Sequence, residues 1–277
     1  MEKIALVTDS TADLPQELID RYEIQVVRNL LIIEGQSLRD GIDISREEYY
    51  ERLPRFKPTP TTATASSGVY QELYETLFQR GAKTIVSIHP PQKLSGIINA
   101  ANIAAQAFGN RIHVIDSGQV SLGLGFQILA AAEAIRHGAS LDTILRLLDE
   151  IRGRVRLVAM LDTLEYIRRS GRVSWARARL GNLLQIKPFI ELTDGDVRSL
   201  GESRTRTKGI HRLREFLYDL GALENLAILH TNAENDARQF VKTLQLHLSS
   251  APLIINVTTV IGTHVGPNCL GFAVLIK

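Results

Sequence analysis

Short apolar runs rich in β-branched residues alternate with longer helix-forming stretches through the first half of the chain. Strands are predicted at 4–9, 84–89 and 112–117, and helices are predicted between them at 69–81 and 96–109. Strands that alternate with helices of this length form parallel sheets, because each parallel connection must cross the sheet before the next strand begins. We therefore expect an α/β fold with a doubly wound, mostly parallel sheet in the N-terminal half.

The second half mixes two kinds of connection. Asp194-Gly195 lies between two extended runs and predicts a hairpin, whereas the strand predicted at 226–230 is followed by a helical pattern. The apolar, β-branched run 253–261 predicts another strand. We therefore expect an N-terminal α/β domain over 1–153 and a C-terminal α/β domain with a mixed sheet over 154–277.

Two stretches of the N-terminal half have less regular patterns. IQVVRNLLII at 24–33 is apolar and predicts a single strand. KPTPTTATASSG at 57–68 is rich in proline and hydroxyl residues and predicts an irregular loop.

The composition narrows the possible chemistry. Cys269 is the one cysteine in 277 residues, which excludes an internal disulfide and a cysteine cluster for metal. The seven histidines lack metal-binding spacing, and neither a P-loop nor a dinucleotide loop is present, so we expect no metal and no cofactor. No apolar run is long enough to span a bilayer and no signal-type start is present, so we expect a soluble cytoplasmic protein.

Positive charge is concentrated in one window. Residues 150–214 contain 15 Lys and Arg against 7 Asp and Glu, a net charge of +8, although the net charge of the whole chain is only +2. Such a window can bind an acidic partner, a phosphate or a nucleic acid, or it can be a solvated arginine-rich surface.

A few polar side chains stand out against this apolar background. His264 lies in a glycine- and proline-containing bend, IGTHVGPNCLG at 261–271, and Ser95 lies at a predicted helix N-terminus. A helix N-terminus with a hydroxyl can bind an anion, although such a serine is also a common helix cap. Ser95, Thr62 and His264 could alternatively form a hydrolase site, but no acid is evident beside the histidine and no G-x-S-x-G motif is present. These residues favour the binding of an amphipathic anion over the catalysis of a covalent reaction.

An ordered set of motifs runs nearly from end to end of the chain, and the longest is LDTLEYIRRSGRVSWARARLGNLLQIKPFIELTDGDV at 161–197. The other motifs are VTDSTADLP (7–15), LRDGIDIS (38–45), TTATASSG (61–68), KLSGIINAA (93–101), VIDSGQVSLGLGF (114–126), ESRTRTKGI (202–210) and GTHVGPNCLG (262–271). In their order and spacing these motifs resemble the DegV family, bacterial fatty-acid-binding proteins that serve fatty acid kinase.

The resemblance implies two α/β domains with a lipid tunnel between or within them. It also implies that Thr62, Ser95, Gly96 and His264 bind the carboxylate of a long-chain fatty acid. Neighbouring Thr61 or Thr64 could take the place of Thr62.

The family's basic positions fall on Arg172 and Arg204, which would serve the kinase partner or the phosphorylated head group. The chain departs from the family pattern in Ala63-Thr64-Ala65 of the hydroxyl loop, in Ser170, and in Asn268, which replaces a glycine. Asn tolerates a left-handed backbone, so we expect the turn at Asn268 to survive.

The expected function is a non-catalytic carrier that presents a fatty acid to a separate acyl kinase. Its partners would be the fatty acid and the kinase catalytic subunit, with transient membrane contact and no nucleic acid. The alternatives are a hydrolase using Ser95 and His264, and a phosphate or nucleic-acid binder using the 150–214 window.

Overall fold

The computed structural model describes residues 3–178, 186–246, 248 and 250–277. The strands are β1 Ile4–Asp9, β2 Gln25–Val27, β3 Leu30–Ile33, β4 Gln36–Arg39, β5 Thr61–Ala63, β6 Thr84–His89, β7 Ile112–Asp116, β8 Val155–Met160, β9 Lys187–Thr193, β10 Asp196–Ser203, β11 Leu223–His230, β12 Leu253–Asn256 and β13 Leu270–Ile276. The α-helices are α1 Gln16–Arg21, α2 Arg46–Arg52, α3 Ser67–Gln79, α4 Ile97–Ala105, α5 Ser121–Arg136, α6 Leu141–Arg154, α7 Glu165–Ser170, α8 Ser174–Ala178, α9 Arg206–Asp219, α10 Glu234–Lys242 and α11 Thr259–Val265.

The predicted parallel sheet of the N-terminal half is confirmed. Its strands lie in the order β2-β1-β6-β7 and all neighbours are parallel. Alternate side chains of the central strands face opposite layers, as the two-residue period of a strand requires. Val7 and Ile85 pack with α3 and α4, whereas Leu6 and Val86 pack with α5.

The predicted mixed sheet of the C-terminal half is also confirmed, in the order β10-β9-β8-β13-β11-β12. The β11–β12 pair is parallel and the other pairs are antiparallel. Asp194 and Gly195 both have positive φ, 47° and 78°, and form the predicted hairpin turn between β9 and β10.

Helices α5 and α6 lie between the two sheets. Leu124 and Ile144 share one hydrophobic cluster with Leu6 of the parallel sheet and with Leu157 and Ala273 of the mixed sheet. This shared core takes residues from both sides of the predicted boundary at residue 153, and the division into two domains stays a prediction. None of the helices in the described ranges is both long and apolar enough to cross a bilayer.

The prediction of one strand over 24–33 is wrong. The segment forms β2, in the parallel sheet, and β3, in a separate antiparallel sheet of order β4-β3-β5. The chain changes sheets at Asn29, which is buried and donates its side-chain amide to Asp9 Oδ1 over 2.9 Å. The hydroxyl-rich loop predicted at 57–68 contributes β5 to this small sheet.

The prediction of a strand over 253–261 is wrong in its second half. Strand β12 ends at Asn256, and α11 begins at Thr259, so His264 lies in the last turn of a short helix. Threonine and valine favour strands, but buried acceptors from distant segments bind the backbone and hydroxyls at the start of α11. Gly266 and Asn268, with φ of 83° and 60°, then form the turn that leads into β13.

Close packing at Gly262 fixes α11 against α2. A Cβ atom at this position would meet the ring and hydroxyl of Tyr50, whose side chain is 1% exposed and donates to Val257 O over 2.7 Å. A glycine in a helix interior lowers helix stability, so the close approach of Tyr50 is the physical reason for this residue.

We predict that Gly262→Ala lowers the free energy of unfolding by about 1–3 kcal/mol, because the added methyl overpacks the buried Tyr50. Urea denaturation measures the change. Gly153→Ala is the control, since Gly153 lies in α6 with open space around its Cβ position, and it should be neutral or stabilising by up to about 1 kcal/mol. A Gly262→Ala variant as stable as the parent would contradict the packing argument.

Candidate functional site

An apolar cavity of about 170 Å³ lies between the ends of the parallel sheet and one face of the mixed sheet. Thr11 and Pro90, which follow β1 and β6, face residues of β8, β9 and α11 across it. Ligands of open α/β sheets bind at this carboxyl edge of the strands. The apolar lining is Leu94, Ile97, Val120, Leu157, Ala159, Leu161, Ile167, Val173, Ile190, Leu192, Val197, Leu229, Val257, Val260, Ile261 and Val265.

A polar cavity of about 490 Å³ adjoins the apolar one, and we call it the vestibule. It is lined by Asn29, Thr62, Ala63, Thr64, Gln92, Lys93, Leu94, Ser95, Gly96, Ile97, Ser170, Gly171, Arg172, Arg177 and Val260. The polar residues Thr62, Ser95, Ser170 and Arg172 line both spaces. A chain of apolar atoms in the cavity would therefore place its polar end beside these four side chains.

Thr62 and His264 meet at this border. Thr62 Oγ1 lies 3.0 Å from His264 Nε2, although the two residues are 202 positions apart in the chain. Strand β5 presents Thr62, because Thr62 pairs with Leu31 of β3, and the last turn of α11 presents His264. Thr61, by contrast, is exposed and lines neither space.

The imidazole of His264 is neutral at physiological pH. Burial and, to a smaller extent, the positive charge of Arg172 together lower the pKa of His264 from 6.5 to about 4. A neutral imidazole offers one N–H donor and one acceptor, and the tautomer decides which of them faces Thr62.

Ser95 and Gly96 lie at the N-terminus of α4. Ser95 Oγ accepts a hydrogen bond from the Ile97 N–H over 3.3 Å, so the hydroxyl caps the helix and still faces both spaces. Gly96 lines the vestibule but not the apolar cavity. A Cβ atom at this position would lie 3.9 Å from Thr64 Cγ2, which is an ordinary contact.

The two predicted basic residues lie in different places. Arg172 lines both spaces, and its guanidinium donates to Ser170 O over 2.7 Å. Desolvation lowers the pKa of Arg172, although an arginine remains protonated. Arg204 is exposed and lines neither the cavity nor the vestibule.

Ion pairs neutralise much of the charge in the 150–214 window. Arg152 pairs with Asp194, Lys187 with Asp162, and Arg206 with Asp236. Arg154, Arg156, Arg169 and Arg212 also pair with glutamates. Pairs of this kind support a solvated surface for these residues, whereas Arg172 and Arg177 line the vestibule.

A second histidine has the partners of a catalytic triad but lies in the core. His89 Nδ1 is 2.8 Å from Asp9 Oδ2, and His89 Nε2 is 2.7 Å from Ser87 Oγ. Ser87 also hydrogen-bonds to Tyr74, and Ser87, His89 and Asp9 are all 0% exposed, so no substrate reaches the hydroxyl. This network stabilises the parallel sheet. Across the described ranges, no carboxylate hydrogen-bonds to His264 and no group of three or more His, Cys, Asp or Glu could hold a metal.

Two buried carboxylates that our reading of the sequence missed hold the start of α11. Asp13 Oδ1 accepts from the Thr258 N–H over 2.7 Å, and Asp40 Oδ1 accepts from the Thr259 hydroxyl over 2.6 Å. Burial raises the pKa of Asp13 to about 6, opposed chiefly by Arg46, whose Nη1 lies 3.2 Å from Asp13 Oδ1. The sequence did contain a signal for these two residues: Asp13 and Asp40 lie in the motifs VTDSTADLP and LRDGIDIS, where an ordinary turn does not require an acidic residue.

Comparison with known proteins identifies the family. The family model described as "Uncharacterised protein, DegV family" matches residues 3–277. The chain belongs to the DegV family. It is 34% identical over 276 residues to a DegV domain-containing protein of Caldanaerobacter subterraneus subsp. tengcongensis, covering 98% of each chain.

Solved structures of DegV proteins have the same fold. A fatty-acid-binding DegV family protein of Thermus thermophilus superposes with a TM-score of 0.89 at 31% identity, covering 99% of this chain and 100% of the other. DegV of Bacillus subtilis, a fatty-acid-binding protein, superposes with a TM-score of 0.86 at 30% identity and covers 100% of both chains.

We predict that His264 titrates near pH 4 in the ligand-free protein. Because the folded pKa lies below the unfolded value of 6.5, the unfolded chain binds the proton first. The stabilising contribution of neutral His264 is therefore present above pH 6.5 and is lost as the pH falls towards 4.

Imidazole chemical shifts in an NMR titration measure this pKa. The difference in unfolding free energy between the parent and His264→Gln should decrease over the same interval as the pH falls. An imidazole that titrates at or above pH 6.5 would contradict a buried, neutral His264.

Proposed function

We propose that this protein binds a long-chain fatty acid, with the acyl chain in the apolar cavity and the carboxylate at the border with the vestibule. The observation that carries the proposal is the Thr62–His264 pair, which lies at the border between a largely apolar space and the polar vestibule. Fatty-acid binding by the DegV relatives of Thermus thermophilus and Bacillus subtilis supports the same ligand class.

The apolar tail supplies the affinity in this proposal. Burial of about 15 methylenes contributes on the order of 12 kcal/mol at ~0.8 kcal/mol each. Lost rotational and translational freedom offsets much of that gain. The head group then fixes the direction in which the chain enters.

The carboxylate must be hydrogen-bonded, because an unpaired buried charge is strongly unfavourable. The hydroxyls of Thr62 and Ser95 can donate to it, and the neutral imidazole of His264 can donate from one nitrogen. Arg172 adds the positive charge that lines both the cavity and the vestibule.

We further propose that the protein presents this carboxylate to a separate acyl kinase and shields the acyl-phosphate that forms. The vestibule supports this step, because Arg172 and Arg177 line a polar space at the proposed carboxylate end. In this proposal the protein is a carrier in the cytoplasm, the kinase supplies the catalytic groups, and the carrier makes transient contact with membranes.

We predict that Thr62→Val and Ser95→Ala each weaken fatty-acid binding about tenfold or more, because each removes a hydrogen bond to a charged group worth about 1.5–3 kcal/mol. Isothermal titration of delipidated protein with palmitate measures the affinity. Thr61→Val is the matched control, since Thr61 is exposed on the same strand and outside both spaces, and it should bind as the parent does. Equal weakening in Thr61→Val would contradict the assignment to Thr62.

Native mass spectrometry tests the ligand class itself. Protein purified from a bacterial host should carry a mass that matches a fatty acid. Absence of that mass, together with no binding of added palmitate, would remove the carrier proposal.

We predict that Arg204→Ala lowers acyl-phosphate formation, as expected if Arg204 serves the kinase partner. Fatty-acid affinity should not change, because Arg204 is exposed and lies outside both spaces. Arg172→Ala should lower acyl-phosphate formation more strongly, since Arg172 lines the vestibule. Acyl-phosphate, trapped as a hydroxamate, is measured with ATP and the catalytic subunit of a bacterial fatty acid kinase. Arg146→Ala, an exposed change on α6, is the control. Unchanged formation in both variants would contradict a role for either arginine in the kinase step.

A further inference from the structure

Asp40 is a buried carboxylate with no direct contact to the cavity. Its side chain accepts hydrogen bonds from the hydroxyls of Thr258 and Thr259, and Asp40 is 1% exposed. Both partners lie at the start of α11, more than 200 positions further along the chain. The carboxylate therefore holds the end of α11 that is opposite to His264.

Helix α11 depends on such contacts for its position. It has only seven residues, and Thr258 makes no side-chain cap. An isolated helix of this length is unstable in water, so tertiary contacts decide where it lies. A negative charge at its N-terminus also interacts favourably with the helix dipole.

The small sheet β4-β3-β5 is connected to both residues of the Thr62–His264 pair. Asp40 directly follows β4, and its N–H donates to Asn29 O over 3.0 Å. Thr62 lies in β5 of the same sheet, paired with Leu31 of β3. One rigid element thus presents Thr62 directly and fixes His264 through Asp40 and α11.

Two further contacts restrict α11 to this position. The Tyr49 hydroxyl lies 2.6 Å from Thr263 Oγ1, next to His264, and Asp13 accepts the Thr258 N–H. These contacts hold the helix along its length. Val260 of the first turn shares a hydrophobic cluster with Leu31 and Ile33 of the sheet that carries Thr62, and Asp40 adds the hydrogen bonds that join this turn to the end of β4.

We propose that Asp40 is a positioning residue for the fatty-acid head group: it fixes α11 so that His264 meets Thr62 at the border of the cavity. The inference rests on the proposed function for its ligand. It goes beyond that function in assigning a role to a residue outside the cavity.

The test compares Asp40→Ala with Asp43→Ala in the full-length protein. Asp43 lies in the same loop, but its carboxylate pairs with exposed Arg39 and not with α11. We expect Asp40→Ala to move the pKa of His264 in the ligand-free protein from about 4 towards 6.5, because a displaced imidazole becomes hydrated. Palmitate affinity should fall about tenfold, the loss expected when one hydrogen bond to the carboxylate is broken. Asp43→Ala should change neither.

Thr259→Val provides a second route if Asp40→Ala does not fold. It removes one of the two hydrogen bonds to Asp40 and keeps the size of the side chain, so it should change both readouts in the same direction by a smaller amount. An unchanged His264 titration in folded Asp40→Ala or Thr259→Val would overturn the positioning role, even if stability falls.

The two readouts separate this inference from the proposed function. If palmitate does not bind the parent protein, the fatty-acid proposal fails. The His264 titration then still decides whether Asp40 fixes α11. If palmitate binds the parent and both variants equally, and His264 does not shift, Asp40 is only a structural residue.

Discussion

The site depends on a few hydrogen bonds between buried carboxylates and the start of one short helix. Asp13 and Asp40 come from the first sixth of the chain, and α11 comes from the last. A buried carboxylate without partners is strongly unfavourable. Here α11 supplies donors to both acids, and Ser121 and Arg46 supply a further donor and a positive charge to Asp13. The raised pKa of Asp13 shows that desolvation still exceeds the compensation there.

The position of α11 also decides which side chains lie at the border between the apolar cavity and the vestibule. Strands β8 and β9 supply aliphatic side chains to the cavity, while α4, β5 and α11 bring their polar residues to one end of it. Burial keeps His264 neutral, and Arg172 remains charged beside it. A neutral donor and a cation at the mouth of an apolar space suit an amphipathic anion. Within the described ranges, no carboxylate hydrogen-bonds to His264.

The regular part of the fold was predictable because its signals are local. Apolar, β-branched runs such as Ile4–Asp9 and Thr84–His89 favour strands whichever strand they pair with. Asp194-Gly195 favours a hairpin turn because both residues tolerate the positive φ that the turn requires. The errors fall where distant residues overrule local preference. Strand 24–33 breaks at Asn29 because Asp9 binds the amide, and 253–261 turns helical because acids from the N-terminal half bind its backbone and hydroxyls.

The sequence by itself determined the α/β class, the two kinds of sheet, the family resemblance and the polar residues that are proposed for the site. Those features depend on periodicity, turn chemistry and the order of motifs. Only the tertiary structure decided that Thr62, rather than Thr61 or Thr64, meets His264, that Arg172 lines the vestibule while Arg204 does not, and that Asp40 holds α11. The physical reason is that these outcomes depend on contacts across up to about two hundred residues, and local preference carries no information about which buried donor will face which buried acceptor.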